Sequence, residues 1–471
     1  MKIKIMTMKK LIGLLLLFAV VTSCDDKLNI EPFQQLDQAK AVSTEKDVLV
    51  TLIGAYDGLQ SVNAYGGDMH TLSELTGNTE DIFFTGTFAG LSDAWKAEMA
   101  ATNGDASNMW TRAYDVINRA NNVLSGIDKI TSSTSAKDRV EGEALFLRAA
   151  MHFEVVRLYA KTWDDGDNNT NAGVPILLQP TKTSSSADFR PRNTVAQVYQ
   201  QVIDDLTRAE LLLPASNSIY ANKNSAAALL ARVKLTQGVT GSTPTQLAAL
   251  AEARNAADRV IASNRNPLAP SFASLWFTFL TNGGNSPAEY IFSMKVTNQD
   301  GVNALNTYFG IGVSSISGTA GRGDCKITAA HRAKYAVGDT RNYFEQVGSN
   351  FYSRKHLDRF GNVPLVRTAE MFLTRAEANF RLGTAVGDTP LNDVNRIRNR
   401  AGLANLTSLN GIGDILNERY LELAFEGSRL HDIKRTRGSQ SGLPWNSPKL
   451  VFPIPQVEID TNKELRQNEG Y

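Results

Sequence analysis

What constrains this chain most is an apolar pattern that returns every three or four positions, segment after segment. Residues 194–213 are the clearest case. Val195, Val198, Tyr199, Val202, Ile203, Leu206, Ala209, Leu212 and Leu213 hold a period of about 3.6, the helical repeat. Thr194 and Gln197 ahead of them form a capping box, which satisfies backbone N–H groups at a helix start. Pro214 ends the pattern, because it cannot continue a helix. The same reading predicts helices at 43–59, 109–127, 138–160, 224–236, 246–262, 367–382, 390–400 and 412–434. Several are neighbours with small or aromatic inner faces, such as 225–235 with 247–262 and 369–383 with 390–402. Such a pair cannot cover its apolar side alone and must stack on the next pair, as in tetratricopeptide-type solenoids. The strict spacing of that repeat is not kept. The fold class expected is all-α, a superhelical scaffold of helix pairs.

Two stretches, 63–106 and 263–366, interrupt the helices and are rich in Gly, Asn, Ser and Thr. Loops this long in a compact protein usually carry function. Strand-like alternation is confined to short pieces such as 289–296. Among the 471 residues, 49 Lys and Arg balance 48 Asp and Glu. Phosphate backbones require a local cationic excess, so a nucleic-acid partner is not expected.

The first residues bear on location. Lys2, Lys4, Lys9 and Lys10 precede the apolar run Leu11–Val21, which is shorter than the ~20 residues of a membrane span. A charged head and short apolar run make a secretory signal, here over residues 1–23. It ends in "VTSC", which looks like a bacterial lipobox, with Cys24 as the lipidated residue and 24–42 as a tether. The competing reading is a plain signal with a chance cysteine. Cys325 is the only other cysteine, so lipidation of Cys24 leaves no intramolecular disulfide. Several acyl chains hold firmly where one is marginal, so membrane contact is expected through lipid only.

Catalytic motifs are missing from the sequence: no G-x-S-x-G, no P-loop, and no H-E-x-x-H among the five histidines. No carboxylate pair stands out for glycoside hydrolysis, and no enzyme activity or cofactor is expected. Residues 164–175 place Asp165, Asp167, Asn169 and Asn171 in the alternation of a calcium loop. The sixth position is Thr170 instead of Gly and the twelfth is Ile176 instead of Glu. A solvated turn is preferred, with structural calcium as the alternative. Aromatics in the long stretches are more suggestive, because sugar C–H faces lie on aromatic rings. Tyr65, Trp95 and Tyr308 sit in such surroundings, whereas Trp110 and Trp276 read as core. Each loop aromatic could equally pack its loop onto the helices.

Taken in order, these segments resemble the SusD/RagB-like outer-membrane lipoproteins of Bacteroidetes. The resemblance rests on "CDDKLNIEP", "MWTRAYDVINRANNVL", "EALFLRAAMHFEVVRLYA" followed by "GVPILL", and "GDTRNYF". It continues through "VRTAEMFLTRAEANFRLG", "LNDVNRIRNRAGL", "ERYLELAFEGSRLHDIKR" and the terminal "VFPIPQVEIDTNKELRQNEGY". It implies about four tetratricopeptide-like helix pairs carrying loops and short strands. A half over 43–262, with ligand loop 63–106, would precede a half over 263–471, with loop-rich 263–366 and closing helices. It also implies surface display beside a SusC-like TonB-dependent transporter, capture of oligosaccharides or, in some members, peptides, and no catalysis. Asp68, Asp81, Trp95 and Asn103, joined by Tyr308, are the ligand residues it points to. A tetratricopeptide-like scaffold that binds only proteins is the remaining alternative.

Glu418, Glu422 and Glu426 recur four apart, on one helical stripe where unpaired carboxylates would repel. Arginine partners are therefore expected, from Arg419, Arg429 or the segment 395–400, with His431 and Asp432 closing the helix.

Overall fold

The computed structural model describes residues 42–78, 80–181 and 188–471. The expected signal sequence, Cys24 and the expected tether as far as residue 41 lie outside these residues. The described residues form a mostly helical structure. Its scaffold consists of α1 (Glu45–Gln60), α4 (Gly104–Ser125), α5 (Thr134–Tyr159), α6 (Val195–Leu212), α7 (Lys223–Gly238), α8 (Pro244–Ala262), α12 (Thr368–Leu382) and α13 (Pro390–Arg400). Each helix packs on the next, so α1/α4, α5/α6, α7/α8 and α12/α13 stack as four tetratricopeptide-like pairs.

Local chemistry explains where these helices begin. Thr44, Thr194 and Asn222 each close a capping box. Thr243 and Thr389 cap helices whose first residue is proline, the position where its missing N–H has no partner to lose. Small residues set the spacing inside the stack. A Cβ on Gly142 of α5 would stand 2.9 Å from Leu213 Cγ, so the glycine is what lets α5 and α6 approach.

The predicted helix over 412–434 is instead two, α14 (Ile412–Leu423) and α15 (Arg429–Arg435). Between them Phe425 and Gly427 adopt φ of 65° and 80°, left-handed values that end a helix. Side chains from elsewhere take the carbonyls released at the break. Lys355 Nζ donates to Glu422 O at 3.1 Å and Ala424 O at 2.8 Å, and His356 Nε2 lies 2.9 Å from Phe425 O.

The two long stretches are not structureless. Residues 63–106 contain α2 (Asp68–Thr76), β1 (Ile82–Phe84) and α3 (Ala89–Lys96). All nine residues of α2 are buried, so no amphipathic period marks it. Two of its three hydroxyls bond back to the preceding turn, Thr71 Oγ1 donating to Gly67 O and Ser73 Oγ to Met69 O. Residues 263–366 hold α9 (Thr278–Asn282), β2 (Tyr290–Met294), α10 (Ala304–Phe309), β3 (Cys325–Ile327), α11 (Ala329–Arg332), β4 (Phe344–Val347) and β5 (Asn350–Ser353). The strands form two-stranded antiparallel ladders, β1 with β3, β4 with β5, and β2 with β6 (Val363–Arg367).

The glutamate stripe is buried and paired. Arg341 holds Glu418 at 2.5 Å, joined by Arg398 at 3.4 Å. Arg367 and Arg400 both bond Glu422, while Arg367 and Lys355 hold Glu426 at 2.8 and 2.6 Å. The expected segment 395–400 thus supplies Arg398 and Arg400, but Arg341 and Arg367 come from outside it. Arg419 turns instead to Glu370 at 3.2 Å and Asp432 at 3.0 Å.

Candidate ligand-binding site

The site is built on the β1–α3 segment. In the β1–β3 register Ile82 pairs with Ile327 and Phe84 with Cys325, all four buried, so Phe83 and Lys326 between them face outward. Phe83 is 53% exposed. Its ring meets Trp95 edge to face, with centroids 5.7 Å apart. The indole N–H of Trp95 donates to Ile82 O at 2.9 Å, which leaves the half-buried ring to offer a ligand apolar surface alone.

A second ring pair stands at the start of α3. Phe88 is 40% exposed and packs edge to face on Tyr308 of α10, centroids 5.6 Å apart. The Arg322 guanidinium lies 4.6 Å from the Phe88 centroid. It also donates to Asp324 at 3.0 Å and to Thr87 Oγ1 at 3.1 Å.

Asn103 and Asp81 serve as braces. Asn103 is the buried N-cap of α4, accepting from Ala106 N at 3.0 Å and donating to Gly90 O at 3.2 Å. It fixes the start of α4 against α3. Asp81 is buried at the head of β1, where it meets His331 Nδ1 at 3.0 Å, Lys334 Nζ at 2.9 Å and the Tyr420 hydroxyl. Burial pushes its carboxyl up, but His331, Tyr420 and Lys334 hold it well below the usual range. This junction ties the site strand to α11 and α14.

Asp68, the first residue of α2, is 3% exposed. Burial and the nearby Asp105 raise its carboxyl to about 8. The five residues singled out from the sequence therefore lie on adjoining elements. Trp95 and Tyr308 keep accessible ring surface, while Asp68, Asp81 and Asn103 are buried. Tyr65, grouped with the loop aromatics, is core instead, its hydroxyl donating to Glu154 at 2.7 Å. Trp110 and Trp276 are buried as expected.

Phe83, Phe88, Asp105 and Arg322 were not singled out. The usable signal for the first two was "DIFFTGTF", in which Ile82 and Phe84 turn inward and leave Phe83 outside. Arg322 and Tyr308 reach α3 only through tertiary pairing, which no local pattern reveals. In the turn after α5, Asn171 Nδ2 donates to Asp165 O and Asn169 Nδ2 to Asp167. Among the described residues no group of three or more His, Cys, Asp or Glu is arranged to hold a metal.

A cleft of about 700 Å³ opens elsewhere, between α8, α12 and α13. Its charges are already matched, Arg375 with Asp258 and Asp393, each at 2.6 Å, and Arg396 with Asp388 at 2.8 Å. None of the residues singled out from the sequence lines it.

Two family models match the chain. One, described as starch-binding and associating with the outer membrane, covers residues 28–235, and the SusD family model covers 328–449. The chain belongs to the SusD family. A SusD-like protein P2 of Formosa agariphila is 25% identical, over 98% of this chain and 99% of that one. Among solved structures, a putative sugar binding protein of Bacteroides vulgatus superposes with a TM-score of 0.77. It is 24% identical, covering 91% of this chain and 99% of its own. Surface glycan-binding protein A of Bacteroides thetaiotaomicron, solved in complex with laminarihexaose, superposes with a TM-score of 0.71. It is 21% identical, with 90% of this chain and 99% of that one covered. At these identities the solved structures establish the shared fold.

Proposed function

We propose that this protein is a non-catalytic, lipid-anchored surface protein that captures oligosaccharides on the β1–α3 face. It then hands them to a SusC-like TonB-dependent transporter in the outer membrane. The observation that carries the reading is the double ring pair, Phe83 with Trp95 and Phe88 with Tyr308. Two of these rings are exposed phenylalanines beside polar groups. Aromatic faces of this kind suit the C–H faces of sugars, with polar neighbours left to meet hydroxyls. The family supports the same reading through its starch-binding description and the laminarihexaose complex of one structural relative. Anchoring through Cys24 fits a chain in which no described helix is long and apolar enough to cross a membrane.

Titration calorimetry against a panel of oligosaccharides tests the proposal. Phe83→Ala, at an exposed position, and Trp95→Ala are each expected to weaken binding by about 0.5–1.5 kcal/mol beyond lost contact area. Unchanged affinity in the double variant, with folding intact by circular dichroism, would remove this face from the reading. Absence of binding to any saccharide would remove the function itself.

A further inference from the structure

Where α14 breaks into α15, the chain closes over a cavity of about 30 Å³, walled by Tyr65, His70, Arg157, Arg232, Arg419 and Arg435 among others. Tyr65 leads into α2, which carries His70, and the four arginines come from α5, α7, α14 and α15. A water-sized body needs roughly 10–15 Å³. The space therefore takes one or two such bodies and excludes a sugar or a phosphate.

Its walls present donors for which the protein supplies no acceptor. Arg419 is 4% exposed. Its Nε donates to Asp432 at 3.0 Å and its Nη2 to Glu370 at 3.2 Å, while its Nη1 is buried without a partner. Arg232 engages Glu370 and Leu365 O through Nε and Nη2, and Arg157 engages Glu154 through the same two atoms. Among the described residues the Nη1 of neither forms a hydrogen bond. His70 Nδ1 is likewise buried without a partner. A guanidinium carries donors only, so an acceptor is what the arginines lack.

Charge decides which acceptor. Ion pairs run from Arg232 to Glu370, Arg419, Asp432, Arg435, Glu377 and Arg381 in unbroken succession. Among the described residues that chain holds four guanidiniums and three carboxylates, one positive charge in excess. The neighbouring cluster balances, with Arg341, Lys355, Arg367, Arg398 and Arg400 against Asp339, Glu289, Glu418, Glu422 and Glu426. Arg157 and Glu154 balance as a pair. Burial, reinforced by Arg157 and Arg232, holds His70 and His431 below their ordinary value, so both are neutral near pH 7. A buried charge without a counter-charge is costly. Water would satisfy the donors and leave the charge; an anion answers both.

We propose that this cavity holds a single halide ion, accepting hydrogen bonds from Arg419 and from the Nη1 groups of Arg232 and Arg157. The ion neutralises the arginine chain and ties the closing helices α14 and α15 to α5 and α7 of the scaffold. Oxyanions and carboxylates are excluded by size.

Diffraction at the bromine absorption edge, from crystals of the mature protein soaked in sodium bromide, tests the site. An anomalous peak is expected inside the cavity, within hydrogen-bonding reach of Arg419 Nη1. Scanning calorimetry in sodium bromide and in sodium gluconate of equal ionic strength supplies the second measurement. The midpoint is expected to rise with the logarithm of bromide concentration and to lack that rise in gluconate, whose anion cannot enter. Arg419→Gln removes the orphan donor and the excess charge together. It should abolish the peak and weaken bromide affinity, read from the midpoint dependence, at least about tenfold. A cavity holding water alone in bromide overturns the proposal, as does an undiminished peak in Arg419→Gln. Midpoints that respond equally to bromide and gluconate overturn it too, any peak then being an adventitious ion only. If Arg419→Gln does not fold, diffraction and calorimetry of the unaltered protein decide.

Discussion

At the scale of single residues, Arg367 shows how the glutamate stripe becomes structure. It is 1% exposed and bonds Glu289 at 3.0 Å, Glu426 at 2.8 Å and Glu422. Removing one partner from such a cluster leaves buried charges unmatched, which is costlier than never having built it. Arg367→Met is therefore expected to lower unfolding free energy by about 3–5 kcal/mol, measured by urea denaturation. A loss comparable to an exposed ion pair, below about 1 kcal/mol, would show the cluster to be energetically idle. The need for arginines was legible, because carboxylates four apart on one face cannot stand alone. Arg398 and Arg400 were legible with it, since they lie on a neighbouring helix. Arg341 and Arg367 were not, because a loop and the end of β6 deliver them.

At the scale of elements, the scaffold helices were readable to within about five residues, most of them from a buried stripe and a capped start, although α5 is buried nearly all round from Gly142 and α12 has no side-chain cap. What escaped were helices without a stripe. Every residue of α2 is buried and six of the nine are polar or charged (Asp68, His70, Thr71, Ser73, Glu74, Thr76), so the segment read as loop. The break between α14 and α15 escaped for a related reason. Apolar residues continue through it, while the chain reverses at Phe425 and Gly427. At Gly427, φ is 80° and a Cβ would lie 2.8 Å from His70 Cδ2 and 3.0 Å from His70 Cα. Gly427→Ala is expected to cost about 1–3 kcal/mol from the backbone conformation, read as a lowered thermal midpoint. An unchanged midpoint would mean that the turn can open without penalty. The ring pairs of the site were half legible. Trp95 and Tyr308 stand out by type, whereas Phe83 and Phe88 acquire meaning only once β3 and α10 are in place.

For the molecule as a whole, the balance of buried titratable groups sets its response to acid. Burial holds all five histidines below their ordinary value, His70 and His356 near about 4 and His152 near about 3. Below about 6.5 the unfolded chain takes up protons on these histidines that the native protein refuses, so stability falls with pH. Asp68 and Glu74, raised to about 8 and about 7, work in the opposite sense, because the native state holds their protons first. Between about pH 7 and pH 5 the five histidines outweigh these two. Asp105, Glu143, Asp205, Asp393, Glu418 and Glu458 are also raised by burial, and they offset part of the loss at lower pH. Below about 4.5 the loss steepens. Burial pushes Glu370 up, but Arg232 and Arg419 pull it down to about 2, and Glu377, Glu426 and Asp432 are held low in the same way. Scanning calorimetry is expected to find the highest midpoint near neutral pH and a steady decline on acidification. A midpoint that climbs from pH 7 to pH 5 would contradict this assignment of charge.

The pairing of β1 with β3 joins residues 82–84 to residues 325–327, and it has a consequence in time. The helix pairs up to α8 make contacts between neighbours in the chain and can form as soon as each has emerged. The aromatic face cannot, because Tyr308, Arg322 and the partner strand all belong to a part of the polypeptide synthesised much later. Distant contacts of this kind are gained slowly, although the entropy of closing the loop grows only with the logarithm of its length. The proposed ligand face is thus among the last parts of the fold to be completed, and no N-terminal fragment, however helical, can assemble it.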